Sequence, residues 1–255
     1  MSKIISKIEE GIAYLGINRP EALNALSREI VDEIDVVIDQ LKQKKDIRVL
    51  IVYSENNFAA GADIKGMIDC NEEEAKSFSF SPTFNKIVEL PFPTIAAIEG
   101  YALGGGLELA LTCDFRIAAE DAKMGFPEIN LGIMPGAGGT IRTAKLIGQA
   151  RAKELILTGE IIECDMAVEF GLINKAVAKE QVLDAAQNMA KKLAKKAPIA
   201  LMTAKETIRK GSELANELEG IKLEAESWVS LFNTEDQKEG MKAFIEKRKP
   251  IYSGK

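Results

Sequence analysis

Histidine is absent from this sequence of 255 residues. Its absence excludes Ser-His-Asp and Cys-His nucleophilic catalysis, and it also excludes every metal site that uses a histidine ligand. If the protein performs acid–base chemistry, the titrating groups must therefore be Glu, Asp, Lys, Tyr or Cys.

Cysteine and long apolar runs are also scarce. The three cysteines, Cys70, Cys113 and Cys164, are far apart and form no CxxC motif. We interpret them as reduced thiols in a bacterial cytosol or an organelle matrix. The N-terminus, MSKIISKIEEGIAYLG, lacks the apolar core and the small-residue cleavage site of a signal peptide. No apolar run approaches the roughly 18 uncharged residues of a membrane span. We therefore expect a cytoplasmic protein that does not enter a membrane.

Basic residues are outnumbered, since 33 Lys and Arg against 39 Asp and Glu give a formal net charge of −6. This balance argues against broad, sequence-independent nucleic-acid binding, which needs many basic contacts to phosphate. It still allows a local basic pocket for an anionic ligand. The lysines in AKKLAKKAP (190–198) are the best support for an alternative, an RNA-binding or scaffold protein, but their helical spacing favours a solvated helix face.

The pattern of apolar residues predicts strands that alternate with helices, followed by helices alone. Ser27 is expected to cap the first helix, and Thr234 with Gln237 to form a capping box on the last. Cys113 is expected in the core and Trp228 among the C-terminal helices. The order of elements indicates an α/β core with a helical C-terminal appendage. The predicted strands lie at 3–9, 12–17, 47–54, 93–100 and 114–120.

Glu108 is the one charged residue in GYALGGGLELALTC, residues 100–113. The glycines permit tight turns and leave the first N–H groups of a helix uncovered, which favours an anion site. If the N–H of Gly105 is a donor, Glu108 lies on the same helix face one turn later. The alternative is structural: glycines begin the helix, and the acid complements its dipole.

In two further segments, glycines also lie next to an isolated carboxyl or leave a backbone N–H uncovered. MGFPEINLGIMPGAGGT (124–140) contains a single charged residue, Glu128. FAAGADIK (58–65) offers another glycine-opened N–H, at Ala62, although it can equally be a tight turn in which Asp63 complements a helix dipole. Two buried carboxyls in one cleft are driven apart in pKa, which supplies an acid and a base from one residue type.

These segments, together with ELILTGE and EDQKEGMKAFIEKRKP, have the order and spacing of the crotonase (enoyl-CoA hydratase/isomerase) superfamily, and the chain most resembles its enoyl-CoA hydratase branch. The resemblance implies a spiral of ββα units with the active site in residues 1–197. It also implies that the C-terminal helical region, 198–255, completes the active site and builds a homotrimer or a homohexamer made of two trimers.

The resemblance further implies an acyl-CoA thioester substrate, with coenzyme A as part of the substrate and no metal or redox cofactor. The N–H groups of Ala62 and Gly105 would form an oxyanion hole. Glu108 would orient and deprotonate water, and Glu128 would transfer a proton at the α-carbon. Water would then add syn to a trans-2-enoyl-CoA and give a 3-hydroxyacyl-CoA. The substrate-binding residues implied by the resemblance are Ala60, Gly61, Ala62, Asp63, Ile64, Lys65, Gly105 and Lys247, with Arg19 as a further candidate.

Two departures from the family leave the acyl preference open. Phe126 stands where many hydratases have Gln, and TIRTAKLIG replaces a commoner TQRL pattern. Related isomerases generally keep only the second acid, so Glu108 favours hydration. An isomerase, or a hydratase of an unusual acyl-CoA, remains an alternative.

Overall fold

The computed structural model describes residues 3–255, and their strands form two sheets. In chain order the strands are β1 (Ile4–Glu9), β2 (Ile12–Ile17), β3 (Val49–Ser54), β4 (Thr94–Ile98), β5 (Tyr101–Leu103), β6 (Phe115–Ala119), β7 (Lys123–Gly125), β8 (Ile161–Glu163) and β9 (Lys175–Val177). One sheet has six strands in the order β1-β2-β3-β4-β6-β9, and the other has three in the order β5-β7-β8. The predicted strands are confirmed, with shorter ends in several cases.

The larger sheet begins with an antiparallel hairpin of β1 and β2, in which Glu9 pairs with Ile12. The tight turn places Glu10 (φ 49°) and Gly11 (φ 76°) in the left-handed region, as a two-residue hairpin of this kind requires. From β2 to β9 every neighbouring pair is parallel. β3 and β4 are buried almost throughout, which explains their continuous apolar sequences.

Helices cover the larger sheet and form the C-terminal region. In chain order they are α1 (Arg28–Lys42), α2 (Glu72–Phe78), α3 (Ser81–Val88), α4 (Gly105–Ala110), α5 (Gly139–Ile147), α6 (Gln149–Thr158), α7 (Cys164–Glu169), α8 (Val182–Ala194), α9 (Pro198–Gly211), α10 (Glu217–Ser230) and α11 (Glu235–Ile245). Ser27 caps α1 as predicted, because its side chain accepts a hydrogen bond from the N–H of Ile30. α1 packs against β1, β2 and α3, and α8 packs against β2, β3, β4 and β6. Within residues 3–255 no helix has the length and apolar character to cross a membrane.

The smaller sheet positions two of the glycine-rich segments side by side. β5 and β7 are parallel, and Leu103 at the end of β5 pairs with Gly125 at the end of β7. The N–H of Gly104 continues this pairing with a hydrogen bond of 2.9 Å to the carbonyl oxygen of Gly125. The start of α4 therefore lies next to the segment that carries Glu128.

The C-terminal helices are attached to the core by polar contacts. Lys205 on α9 forms an ion pair of 2.8 Å with Asp114 and donates to the carbonyl oxygen of Phe92 at 3.0 Å. The buried carboxylate of Asp236 accepts hydrogen bonds from the N–H groups of Ser253 and Gly254, so the last residues fold back onto α11. Cys113 is buried, as predicted.

Two expectations for this region need correction. Trp228 is 61% exposed and contacts the ring of Phe232, because α9 and α10 bury no residue and no further layer covers them. Thr234 accepts the predicted hydrogen bond from the N–H of Gln237. The side chain of Gln237, however, donates to the sulfur of Met241 rather than completing the capping box.

Candidate active site

A cavity of about 270 Å³ opens where the three glycine-rich segments meet. Its walls come from residues within 60–67, 75–80, 104–108 and 127–137. Most of the lining side chains are apolar, and the two carboxyls lie among them. The predicted site residues that line it are Ala60, Gly61, Ala62, Ile64, Gly105, Glu108 and Glu128.

The start of α4 requires glycine for two reasons. Gly104 has φ 48° and ψ −123°, a conformation that is strained for any residue with a side chain. A Cβ atom at Gly104 would also lie only 2.8 Å from Oε1 of Glu128. Glycine at this position therefore lets the carboxyl of Glu128 approach the backbone of the helix start.

The two predicted oxyanion-hole residues are neighbours in space. The nitrogen of Ala62 lies 3.7 Å from the position that a Cβ on Gly105 would occupy. Neither N–H donates a hydrogen bond to another of the residues 3–255. The segment around Ala62 is fixed on both sides, since the N–H of Leu26 donates to the oxygen of Gly61 and the N–H of Asp63 donates to the oxygen of Leu26, each at 2.8 Å. Both N–H groups are therefore held by the backbone and remain available to a ligand oxygen.

Glu108 is 3% exposed, and its carboxyl has strong backbone partners. Oε1 accepts hydrogen bonds of 2.7 Å from the N–H groups of both Ala137 and Gly139. Burial raises the pKa of Glu108, while these two donors and the positive charge of Arg142 act in the opposite direction. The donors stabilise the ionised carboxylate, and they use only one of its two oxygens.

Glu128 has a different environment in the same cavity. It lies on the 3-10 helix Pro127–Leu131 and is 9% exposed. Its Oε2 atom is buried and has no hydrogen-bond partner in the described part of the chain. Burial, with a smaller contribution from the negative charge of Glu108, raises the pKa of Glu128 to about 7. Near neutral pH this carboxyl can therefore both hold and release a proton.

The arrangement combines the parts needed for proton transfer next to a carbonyl group. Two backbone N–H groups can stabilise negative charge on an oxygen, one carboxylate can act as a base, and one carboxyl can act as an acid. Two acids with different surroundings can divide these roles between them. Among residues 3–255, no group of three or more His, Cys, Asp or Glu residues could hold a metal ion.

Four predicted binding residues lie outside the cavity lining. Asp63 accepts a hydrogen bond from the N–H of Lys65 and forms an ion pair of 2.7 Å with Arg19. Hydrogen bonding to Arg19 holds the pKa of Asp63 below its usual range. Arg19 and Asp63 therefore brace the loop next to Ala62. Lys65 and Lys247 are exposed, and the single chain does not bring Lys247 into the cavity.

Sequence reasoning missed the groups that hold Glu108. The N–H donors of Ala137 and Gly139 lie in PGAGG (135–139), where α5 begins. These donors could have been predicted, because a glycine cluster at a helix start favours an anion site, and PGAGG is such a cluster, like the one that precedes Glu108. Phe126, which stands where many hydratases have Gln, also has a structural role. The ring of Phe126 packs against Gly139 and does not line the cavity.

Comparison with known proteins gives full-length matches. The family model described as enoyl-CoA hydratase/isomerase matches residues 7–255. A short-chain-enoyl-CoA hydratase of Clostridium acetobutylicum is 40% identical over 253 residues, which cover 98% of this chain and 97% of that protein. A crotonyl-CoA hydratase of Syntrophomonas wolfei is 40% identical over 256 residues, covering 99% and 98%. The crystal structure of an enoyl-CoA hydratase from Bacillus anthracis superposes with a TM-score of 0.95 at 39% identity and covers 100% of both chains. The fold implied by the resemblance is confirmed.

Proposed function

Because the chain belongs to the enoyl-CoA hydratase/isomerase family, we propose that it adds water reversibly and syn across the double bond of a trans-2-enoyl-CoA to give a 3-hydroxyacyl-CoA. The observation that carries this proposal is the pair Glu108 and Glu128, which line one cavity in opposite hydrogen-bonding environments. A hydro-lyase needs both a base for water and an acid for carbon, and this pair supplies them. The reaction belongs to acyl-CoA and fatty-acid metabolism, including β-oxidation.

The thioester carbonyl oxygen binds between the N–H groups of Ala62 and Gly105. Conjugate addition of water places enolate charge on this oxygen, and the two donors stabilise that charge in the transition state. Removing one such donor costs about 2.7–4 kcal/mol of barrier in a comparable acyl-transfer site. The apolar side chains of the cavity accommodate the acyl group.

The two carboxyls divide the proton transfers. Glu108, held as a carboxylate by Ala137 and Gly139, accepts a proton from water through its second oxygen while the water oxygen bonds to the β-carbon. Glu128 donates its proton to the α-carbon. Proton exchange with solvent then returns both groups to their starting states, so that the net change is the addition of one water molecule. Dehydration follows the same steps in reverse.

The test is the loss of the enoyl-thioester absorbance of crotonyl-CoA, measured for the wild type, Glu108→Gln and Glu128→Gln. General acid–base groups contribute about 10²- to 10⁴-fold, so each variant is expected to lose activity in that range. A folded wild type that hydrates neither crotonyl-CoA nor its longer homologues would overturn the proposal. Full activity in either glutamine variant would overturn the assignment of roles.

Isomerisation of 3-enoyl-CoA is a second candidate activity, favoured by the unpaired oxygen of Glu128 beside the proposed oxyanion donors. One titrating carboxyl is sufficient to move a proton between two carbons. If the chain has this activity, it will survive in Glu108→Gln and disappear in Glu128→Gln. Formation of 2-enoyl-CoA from 3-enoyl-CoA in the two variants distinguishes the cases.

Binding of the coenzyme A portion is proposed to use Lys65 and Lys247. Lys65 is exposed and directly follows Ile64, which lines the cavity. Lys247 follows α11 and would have to reach the coenzyme A of a neighbouring subunit. Replacing either lysine with Met is expected to raise the KM for enoyl-CoA more than it lowers kcat, because the phosphates are remote from the reacting carbons.

The division into a core of residues 1–197 and an oligomerisation region of residues 198–255 is part of the same proposal. Large apolar side chains of the C-terminal helices are exposed in the single chain, and they include Leu218, Ile221, Trp228, Val229, Phe244 and Ile245. Burying them in a homotrimer or a pair of trimers would remove this apolar area from water. Light scattering on the purified protein measures the subunit number. A cytoplasmic location and the absence of nucleic-acid binding remain predictions from the sequence.

A further inference from the structure

Arg142 on α5 contacts the same residue that holds Glu108. Its Nη1 atom donates a hydrogen bond of 2.6 Å to the carbonyl oxygen of Ala137, and the N–H of Ala137 donates to Oε1 of Glu108 at 2.7 Å. Its Nη2 atom donates to Oδ1 of Asn85 on α3, also at 2.6 Å. One guanidinium therefore joins α3 to the loop that supplies the donors for Glu108.

The loop of residues 136–139 is held from two sides. The hydroxyl of Ser81, at the start of α3, donates to the carbonyl oxygen of Gly136 at 2.9 Å. Gly138 has φ 107°, and a Cβ atom there would overlap the guanidinium of Arg142. The guanidinium thus lies directly against the backbone of the loop, at a position where glycine is required.

α3 is itself fixed to the core, which makes it a firm support. Its residue Thr83 donates to Asp35 of α1 at 2.9 Å, and Lys86 pairs with the same carboxylate at 2.8 Å. The contacts from Arg142 to Asn85 therefore connect the catalytic loop to two helices of the core rather than to a surface segment.

The charge of Arg142 on α5 acts on Glu108, and the charges of Glu108 and Glu128, which lies on the 3-10 helix, oppose each other. The positive charge of Arg142 favours the ionised form of Glu108. The negative charge of Glu128, when it is ionised, disfavours that form. Losing the guanidinium would therefore shift the balance toward a protonated Glu108.

We propose that Arg142 is a positioning residue for the base of the reaction, because it fixes the loop whose N–H groups orient Glu108. This inference rests on the proposed hydratase function. The contribution is indirect, since the guanidinium binds the carbonyl side of the loop and the carboxylate binds the N–H side.

The first experiment compares Arg142→Met with Arg142→Lys in the hydration of crotonyl-CoA. A displacement of about 1 Å in a catalytic group can cost about 10²-fold, so both variants are expected to lose kcat by up to that factor with little change in KM. A lysine ammonium is a single point and cannot reproduce the fork that reaches both Ala137 and Asn85. The lysine variant keeps the charge, so the acid limb of its kcat/KM profile should stay near the wild-type position. In Arg142→Met that limb should move to higher pH.

The second experiment places Arg142→Met in the Glu108→Gln background. If Arg142 acts through Glu108, the double variant will have the residual activity of Glu108→Gln alone. An equal loss in both backgrounds would overturn the proposal, and so would wild-type kcat with an unmoved acid limb in Arg142→Met. Arg151→Met is the control, because Arg151 stacks on Phe170 and donates a hydrogen bond of 3.4 Å to the carbonyl oxygen of Glu169. That variant is expected to keep wild-type activity.

A third measurement needs no substrate. Denaturant unfolding of the wild type, the two single variants and the double variant gives the coupling between positions 108 and 142. Coupling is expected to be larger near pH 8 than near pH 4, because an ionised carboxylate accepts hydrogen bonds from the loop more strongly than a protonated one. If the wild type has no hydratase activity but this coupling is present, the proposed function fails and the positioning role stands. If the coupling is absent at both pH values, the positioning role fails.

Discussion

The two carboxyls of the cavity are set in contrasting pieces of backbone. The loop of residues 136–139 turns its N–H groups toward Glu108, whereas the helix start at Gly104 turns a bare Cα toward Glu128. Oε1 of Glu108 therefore receives two N–H donors, whereas Oε2 of Glu128 has no hydrogen-bond partner among residues 3–255. The comparison teaches that glycine-rich backbone, together with the charge of Arg142 near Glu108, gives two identical residues different environments in one cavity.

Filling the space beside Glu128 is expected to cause the largest loss of activity. Gly104→Ala adds a Cβ 2.8 Å from Oε1 of Glu128 and strains a backbone with φ 48°. We expect crotonyl-CoA hydration to fall by at least about 10²-fold, as misplacement of a catalytic group implies. The measurement is kcat/KM on the folded variant.

Gly171→Ala is the control for backbone strain in that experiment. Gly171 has φ 79°, but no atom lies within 4 Å of an added Cβ. Its replacement should cost about 1–2 kcal/mol of stability through strain alone and leave kcat/KM unchanged. Equal losses of activity in the two variants would show that strain, rather than crowding of Glu128, is responsible.

Crowding the carboxyl of Glu108 is expected to cause a smaller loss of activity with a different pH dependence. Gly139→Ala adds a Cβ 2.9 Å from Oε1 of Glu108 and 2.8 Å from the ring of Phe126, without a positive φ. Because this change weakens the donors to the base, we expect about a 10-fold or greater loss of kcat and an acid limb moved to higher pH. In Gly104→Ala the basic limb should move instead. Identical pH profiles for the two variants would contradict the assignment of base and acid.

The pH dependence of wild-type activity tests the difference between the two carboxyls without a mutation. The pKa of about 7 for Glu128 means that its proton is lost as the pH rises through neutrality. Hydration should therefore decline above about pH 7, by up to tenfold for each further pH unit, because the acid form is required. Initial rates with crotonyl-CoA from pH 5 to 9 test this, and a flat profile up to pH 9 would exclude Glu128 as the rate-limiting acid.

The sequence was sufficient to predict the strands and the two isolated carboxyls, because each leaves a local pattern of apolar residues or glycines. The partners of Glu108 were not predictable in the same way. Ala137 and Gly139 lie 29 and 31 residues from Glu108 along the chain, and they meet it only through the folded core. Arg142 and Asn85 are 57 residues apart, and neither stands in a local pattern that indicates the other.

The exposure of Trp228 was unpredictable for another reason. An apolar residue on an amphipathic helix indicates that the helix has a covered face, but it does not say whether the cover belongs to the same chain. α10 buries no residue within the single chain, so the sequence pattern alone led to a wrong placement.

The smallest expected effect is on stability, where the two carboxyls of most interest are Glu128 and the half-buried Glu239. In the folded protein the pKa of Glu128 is about 7, above its ordinary value of 4.5. Between these values the folded state binds the proton more tightly than the unfolded state, so stability declines as the pH rises and levels off above about 7. Glu128→Gln does not titrate, and its stability relative to the wild type should therefore increase from pH 4.5 to 7 and then remain constant.

Glu239→Gln provides the control of opposite sign. Hydrogen bonding to Arg248 lowers the pKa of Glu239 to about 2, so its contribution is present above pH 4.5 and is lost as the pH falls. This variant should be less stable than the wild type at pH 7, and the difference should shrink as the pH falls below 4.5. Urea unfolding of the three proteins at pH 3, 4, 5, 6, 7 and 8 measures both trends. A Glu128→Gln difference that is constant over this range would mean that burial does not raise the pKa of Glu128, and the acid of the reaction would have to be sought elsewhere in the cavity.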